Sequence, residues 1–176
     1  MKIACVLESM FEDAEFQQPY DAFRQAGNQV TIIGVQPGKE LKGKKGTVTT
    51  KSDKGIDEVT PDQFDALFIP GGYSPDQLRN NPRMVQFTKA FFDQDKPVLA
   101  ICHGPQLLIT ARVVKGRKLT AWSTIQEDLR QVGANVVDQE VVVDGNLVTS
   151  RKPEDIPAFI RESLKILERV PALRSR

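Results

Sequence analysis

A chain of 176 residues with 24 basic and 23 acidic side chains has a formal net charge of +1, so no electrostatic footprint argues for nucleic acid or an acidic membrane surface. With 40% hydrophobic and 27% charged residues it is an ordinary globular mix, long enough for one well-filled core. Two cysteines make no disulfide framework, and Glu8 interrupts the first apolar run too soon for a signal peptide or a membrane span; a cytoplasmic setting is expected.

Lys2 to Leu7 predicts a buried strand, with Cys5 a small core residue. From Ser9 to Ala26 the acids Glu12, Asp13 and Glu15 precede a helical stripe of Phe16, Tyr20, Phe23 and Ala26, which Gly27 closes. Val30 to Val35 is a second strand, and strand–helix–strand is the unit of a parallel sheet. Gly38 to Lys51 breaks this rhythm. Its glycines and alternating Thr47-Val48-Thr49-Thr50 predict a hairpin on one sheet edge, guarded by the solvated Lys39, Lys42, Lys44 and Lys45.

Beyond a connector at Asp57 to Phe64, Ala66 to Ile69 reads as a buried strand ended by Pro70-Gly71-Gly72. Helices open at Ser74-Pro75 and at Pro82, the latter reaching Asp95. Pro97 to Ile101 is another buried strand, and Pro105 sits in the first turn of an apolar helix. Leu119 to Trp122 is a short strand and Thr124 to Val132 a helix. Val136-Val137 and Val141 to Val143 then lead to an Asp144-Gly145 turn and Leu147 to Thr149, a hairpin signal. The last helix spans Pro153 to Leu167, and 171–176 reads as a frayed tail. Residues 1–170 thus make a single domain: a three-layer α/β/α sandwich on a flavodoxin-like, mostly parallel sheet with an edge β-hairpin.

Cys102 falls where the Val98–Ile101 strand hands over to a helix N-terminus. Such a joint forces one side chain up above the sheet, and the small Ala100 and Gly104 permit the bend. Free N–H groups at the helix start favour a thiolate, so Cys102 is read as a nucleophile. Working groups of such sheets gather beyond the carboxyl ends of the strands, which brings three loops together: Glu8 to Glu15, Pro70 to Asp76 and Cys102 to Pro105. Gly71 and Gly72, with the N–H of His103, form either an oxyanion hole or a plain turn. Glu12 and Glu15, one helical turn apart, either answer the helix dipole or place a protonated carboxyl against the sulfur. His103 is the only histidine, and successive helical residues diverge by about 100°, so it serves Cys102 only if the elbow geometry or an orienting acid such as Asp76, from its own chain or a neighbour, turns its ring to the sulfur; otherwise it is an interface or capping histidine.

With no later histidine, a glutamine amidotransferase triad is excluded. No zinc-ligand spacing, G-x-x-x-x-G-K-[ST] or G-x-G-x-x-G is present, so neither metal nor nucleotide cofactor is expected.

Phe11-Glu12-Asp13-Ala14-Glu15 with Pro19, Asp65 to Gly72, Ala100-Ile101-Cys102-His103-Gly104-Pro105-Gln106-Leu107-Leu108, Gly116 to Thr120, Asp138 to Asp144 and Val148 to Pro153 together resemble the ThiJ/PfpI superfamily. The likeness is strongest to its PfpI-like intracellular protease and general-stress branch. It implies a homodimer or a hexamer of dimers, a nucleophilic Cys102, and a buried glutamate at the sulfur, matched best by Glu15 and next by Glu12. The protease branch adds a glutamate from an adjacent subunit against the histidine; here the position holds Asp76. Activities implied are peptide hydrolysis, hydration of glyoxal or methylglyoxal without cofactor, and removal of early glycation adducts.

The expectation is therefore a stress-protective hydrolase acting on reactive carbonyls or glycated groups through thiolate attack by Cys102. The alternatives are a peptidase with a Cys102–His103–Asp76 triad, and a redox sensor or chaperone-like protein whose Cys102 oxidises reversibly.

Overall fold

The computed structural model describes the backbone of residues 1–174 and the side chains of residues 1–169. In chain order the elements are β1 (Lys2–Val6), α1 (Asp13–Gln25), β2 (Gln29–Gly34), β3 (Glu40–Lys42), β4 (Thr49–Lys51), β5 (Lys54–Gly55), β6 (Ala66–Ile69), α2 (Ser74–Leu78), α3 (Pro82–Asp93), β7 (Val98–Ile101), α4 (Pro105–Thr110), β8 (Lys118–Leu119), α5 (Ser123–Gln131), β9 (Asn135–Val136), β10 (Val142–Asp144), β11 (Leu147–Ser150) and α6 (Ile156–Arg174).

Seven strands form the central sheet in the order β10-β11-β7-β6-β1-β2-β5. All its pairings are parallel except β10 with β11, the hairpin turned at Asp144-Gly145. The inner strands are buried on both faces, so neighbouring residues feed opposite cores. In β1, Ala4 and Val6 face Met84, Phe91 and Leu107 of α3 and α4. Ile3 and Cys5 face Phe16 and Phe23 of α1 and Phe159 of α6. Phe68 stacks between Phe23, at 5.4 Å, and Phe159, at 6.1 Å, and truncation of such a buried ring costs about 3–5 kcal/mol. Helices on both sheet faces make the three layers. Cys5 lies wholly inside, and burial pushes its thiol up, as befits a core residue.

Four expectations are corrected. Helix α1 starts at Asp13, not Ser9, because Met10 adopts φ 68° and the chain must bend before the helix begins. The 38–51 hairpin exists as β3–β4, but as a separate two-stranded sheet; the edge of the main sheet is β5. The strand expected at 119–122 shrinks to β8, which pairs with β9 outside the main sheet. In backbone, α6 continues to Arg174 through most of the expected tail, whose last two residues lie outside those described.

Candidate active site

Strand β7 ends at Ile101, and Cys102 then takes φ 64°, a left-handed conformation that is costly for a residue with a Cβ. Backbone on either side holds it there: the Cys102 N–H donates to Ser150 O (2.9 Å), and its carbonyl accepts from Trp122 N–H (3.0 Å). The turn carries the side chain above the sheet into an open cleft of about 630 Å³ that Glu12, Glu15, Lys44, Gly72, His103 and Trp122 help to line. Only 6% of Cys102 is exposed. Its sulfur lies 3.3 Å from Nδ1 of His103, whose ring stacks on Trp122 at 6.1 Å.

Glu15, in the first turn of α1, is fully buried, and neither carboxyl oxygen has a hydrogen-bond partner of ordinary length. What it faces is the Cys102 thiol and the Gly71 amide. Burial pushes its pKa up to about 8, the charge of Glu12 adds to the rise, and Lys44 opposes it. At neutral pH Glu15 therefore keeps its proton and presents an O–H toward the sulfur.

Cys102 is itself pushed up, first by burial and then by Glu15 when that group is ionised. The N–H groups of His103 and Gly72 pull the other way, because both aim at the sulfur. The expectation of a thiolate made easy by a helix N-terminus is corrected accordingly. Helix α4 is six residues long, and the groups that favour the anion are those two amides.

Close approach explains the Gly71-Gly72 pair. A Cβ at Gly71 would run into Glu15 Oε1 and come within 2.8 Å of Cys102 Cβ. At Gly72, φ is 81° and a Cβ would meet the Glu12 backbone. The two glycines do not act alike. The Gly72 amide faces the sulfur, whereas the Gly71 amide serves Glu15, so Gly71 leaves the expected oxyanion set.

Glu12 is almost completely buried, lines the same cleft, and pairs with lysines of the loop between β3 and β4. Its Oε2 pairs with Lys44 at 2.9 Å and its Oε1 with Lys45 at 3.0 Å. The lysines read as a solvated edge thus reach the site at Lys44 and Lys45, and Lys44 also lies 5.6 Å from the centre of the Tyr73 ring. Asp13 brings them there. Its carboxylate accepts N–H bonds from Lys45, Thr47 and Val48 and an O–H bond from Thr47, all at 2.7–2.9 Å. Burial works against its ionisation, but these donors together hold it below the usual carboxylate range. Trp122, Lys152 and Glu154, which also line the cleft, carry no local motif that would have marked them.

Asp76 is the residue the structure does not bring in. Its exposed carboxylate is held by Arg79 at 2.7 Å, in a neighbouring cleft with Glu8 and Gln77. It reaches His103 only through its field. Burial, then Lys44, lowers the imidazole pKa, and Asp76 opposes this weakly, so His103 is neutral at pH 7. The Cys102–His103–Asp76 triad is not assembled within one chain.

The model of the DJ-1/PfpI family matches residues 1–166. The chain belongs to the DJ-1/PfpI family. Among DJ-1/PfpI relatives, it is 56% identical over 169 residues to general stress protein 18 of Bacillus subtilis, covering 96% of this chain and 98% of that one. It is 57% identical over 167 residues to protein/nucleic acid deglycase 2 of Escherichia coli, covering 94% and 97%. A crystal structure of a two-domain protein from Anabaena variabilis, with DJ-1/ThiJ/PfpI-like and ferritin-like domains, superposes with a TM-score of 0.93 at 40% identity. That match covers 95% of this chain and 48% of the other. The deglycase's name includes nucleic acid, a partner that net charge alone did not point to in this DJ-1/PfpI chain. Among the described residues no group of metal-ligating side chains occurs, and no helix is long and apolar enough to cross a membrane.

Proposed function

We propose that this chain is a stress-protective hydrolase that removes reactive carbonyls or their early adducts on amines and thiols, using Cys102 and no cofactor. The observation that carries the reading is the Cys102 sulfur in a strained elbow, facing the protonated Glu15 carboxyl and the amides of Gly72 and His103.

In the first step the Cys102 thiol passes its proton to the neutral His103 imidazole, whose Nδ1 lies 3.3 Å from the sulfur, and the sulfur adds to the carbonyl carbon of a 2-oxoaldehyde. The C=O electron pair moves to oxygen, where the Gly72 and His103 N–H groups steady it and Glu15 supplies its proton. The Glu15 carboxylate so formed then takes the C–H proton of the hemithioacetal and returns it to the adjacent carbon, and His103 gives its proton back to the sulfur when the product leaves. A thioester of a 2-hydroxy acid results, and water releases it. The same addition to an aldehyde in equilibrium with its hemiaminal frees the amine, whether that amine belongs to a protein, a nucleobase or a small molecule. The names of the stress-protein and deglycase relatives agree with this chemistry.

Replacing Cys102 with Ala and following methylglyoxal loss tests the reading. Consumption at background is expected; turnover like that of the unaltered protein would sink it. If instead the unaltered protein consumes no aldehyde while peroxide adds oxygen to Cys102 by mass, the redox-sensor reading takes its place. The peptidase reading asks for an acid at His103, and with Asp76 held by Arg79 that acid has to come from a second copy in a homodimer or hexamer.

A further inference from the structure

The mouth of the cleft carries more positive charge than the chemistry above uses. Lys44, Lys45 and Lys152 line it against the buried Glu12 and the exposed Glu154, while Glu15 keeps its proton. Glu12 divides its two oxygens between Lys44 and Lys45, so one buried carboxylate stands between two ammonium groups. Each ammonium has three N–H donors; Lys44 gives one to Glu12, and Lys45 is held to it as an ion pair. The Lys44 side chain is only one-third exposed and is packed over the Tyr73 ring, so it is held and not merely solvated. Asp13 anchors the loop that carries it, with four short hydrogen bonds. Lys44 lines the same cleft as Cys102, Glu15 and His103, and its charge acts on all three. A salt bridge between a loose surface pair would need none of this support.

We propose that the cleft selects electrophiles bearing a carboxylate or similar anionic group next to the reactive carbon, with Lys44 as the residue that positions that group beside the Cys102 sulfur. Small aldehydes and adducts carrying a carboxylate are favoured over neutral ones of the same size. Glyoxylate fits: its aldehyde carbon accepts the sulfur, a C–S bond forms, the thiol proton passes to His103, and the oxygen takes the Glu15 proton. Its neighbouring carbon is already a carboxylate, so the later proton shift cannot occur. It should therefore bind reversibly and compete with methylglyoxal.

The substrate class rests on the function proposed above, but the charge recognition does not, so the experiment has two arms. In the first, the rates at which iodoacetate and iodoacetamide alkylate Cys102, with loss of iodide, are measured by peptide mass for the unaltered protein, Lys44→Gln, Lys44→Arg and the remote Lys89→Gln. The iodoacetate-to-iodoacetamide ratio should fall about fivefold to tenfold in Lys44→Gln, the order expected for one partly screened charge near another. Lys44→Arg and Lys89→Gln should keep it. An unchanged ratio in Lys44→Gln, or an equal fall in Lys89→Gln, overturns the proposal. The iodoacetamide rate in each variant reports that the sulfur is still in place.

In the second arm, glyoxylate inhibition of methylglyoxal consumption should weaken by a similar factor in Lys44→Gln. Inhibition that is equally strong in that variant also counts against Lys44. If the unaltered protein consumes no methylglyoxal, the proposed function fails while the alkylation ratio still decides the role of Lys44.

Discussion

The Cys102 sulfur lies 3.3 Å from Nδ1 of His103, the very next residue in the chain. On a regular helix two successive side chains diverge, but φ 64° at Cys102 breaks the helical progression and lets the imidazole turn back to the thiol. Among the described residues no acid is hydrogen-bonded to that ring, which makes its position a consequence of the elbow and of the Trp122 stack.

Glu15 makes stability fall as the medium turns alkaline. Its value is raised from 4.5 to about 8 by burial, so the folded chain keeps a proton that the unfolded chain sheds. The favourable contribution is complete below pH 4.5 and is lost as pH rises through 8, on the order of 5 kcal/mol. Glu15→Gln cannot ionise. Urea midpoints at pH 5 and pH 8 should converge for this variant and separate for the unaltered protein. A separation that persists in Glu15→Gln would assign it to another group. Methylglyoxal consumption by Glu15→Gln should drop about 10²–10⁴-fold, since the amide holds no proton to give.

The single histidine offers a clean probe of the field in the cleft. Lys44 lowers the His103 pKa and Asp76 raises it. In an NMR titration of the lone imidazole, Lys44→Gln should move its midpoint up and Asp76→Asn should move it down. Asp76→Asn should leave methylglyoxal consumption within about twofold, because Arg79, not His103, holds that carboxylate.

Gly71→Ala should lose about 2 kcal/mol or more in urea unfolding and most of its activity. The added methyl meets Glu15 Oε1 and the Cys102 Cβ, and neither can withdraw without leaving the site. Full activity with unchanged stability would mean that the elbow has more room than the structure gives it.

Asp13→Ala should release the loop that carries Lys44 and Lys45. Four hydrogen bonds to one carboxylate are lost, and about 3 kcal/mol of stability is expected to go with them. Because donors hold the Asp13 pKa down, its contribution is complete above the ordinary carboxylate range and fades as pH falls through the lowered value. The difference between this variant and the unaltered protein should therefore shrink in acid. Hydrogen exchange at the Lys45, Thr47 and Val48 amides should quicken at neutral pH.

Residues 97–105 by themselves determined most of the centre. A β-period apolar run, a proline at the first helical turn and small neighbours put Cys102 at a strand–helix joint, and hydrophobic periodicity placed that joint in a parallel sheet. Which carboxyl would face the sulfur was not legible locally, since Glu12 and Glu15 both fit one turn of helix. Tertiary contacts decided it. The Glu12 N–H binds Gly71 O and its carboxylate is drawn to Lys44 and Lys45, leaving Glu15 to point inward. The lysines looked like edge guards because their partner is 32 or 33 positions away, and Asp76 looked available because Arg79 lies beside it without declaring its aim. Local sequence carries the period of burial and the chemistry of turns. The pairing of charges across loops depends on distances that exist only once the sheet has formed, and so belongs to the folded structure alone.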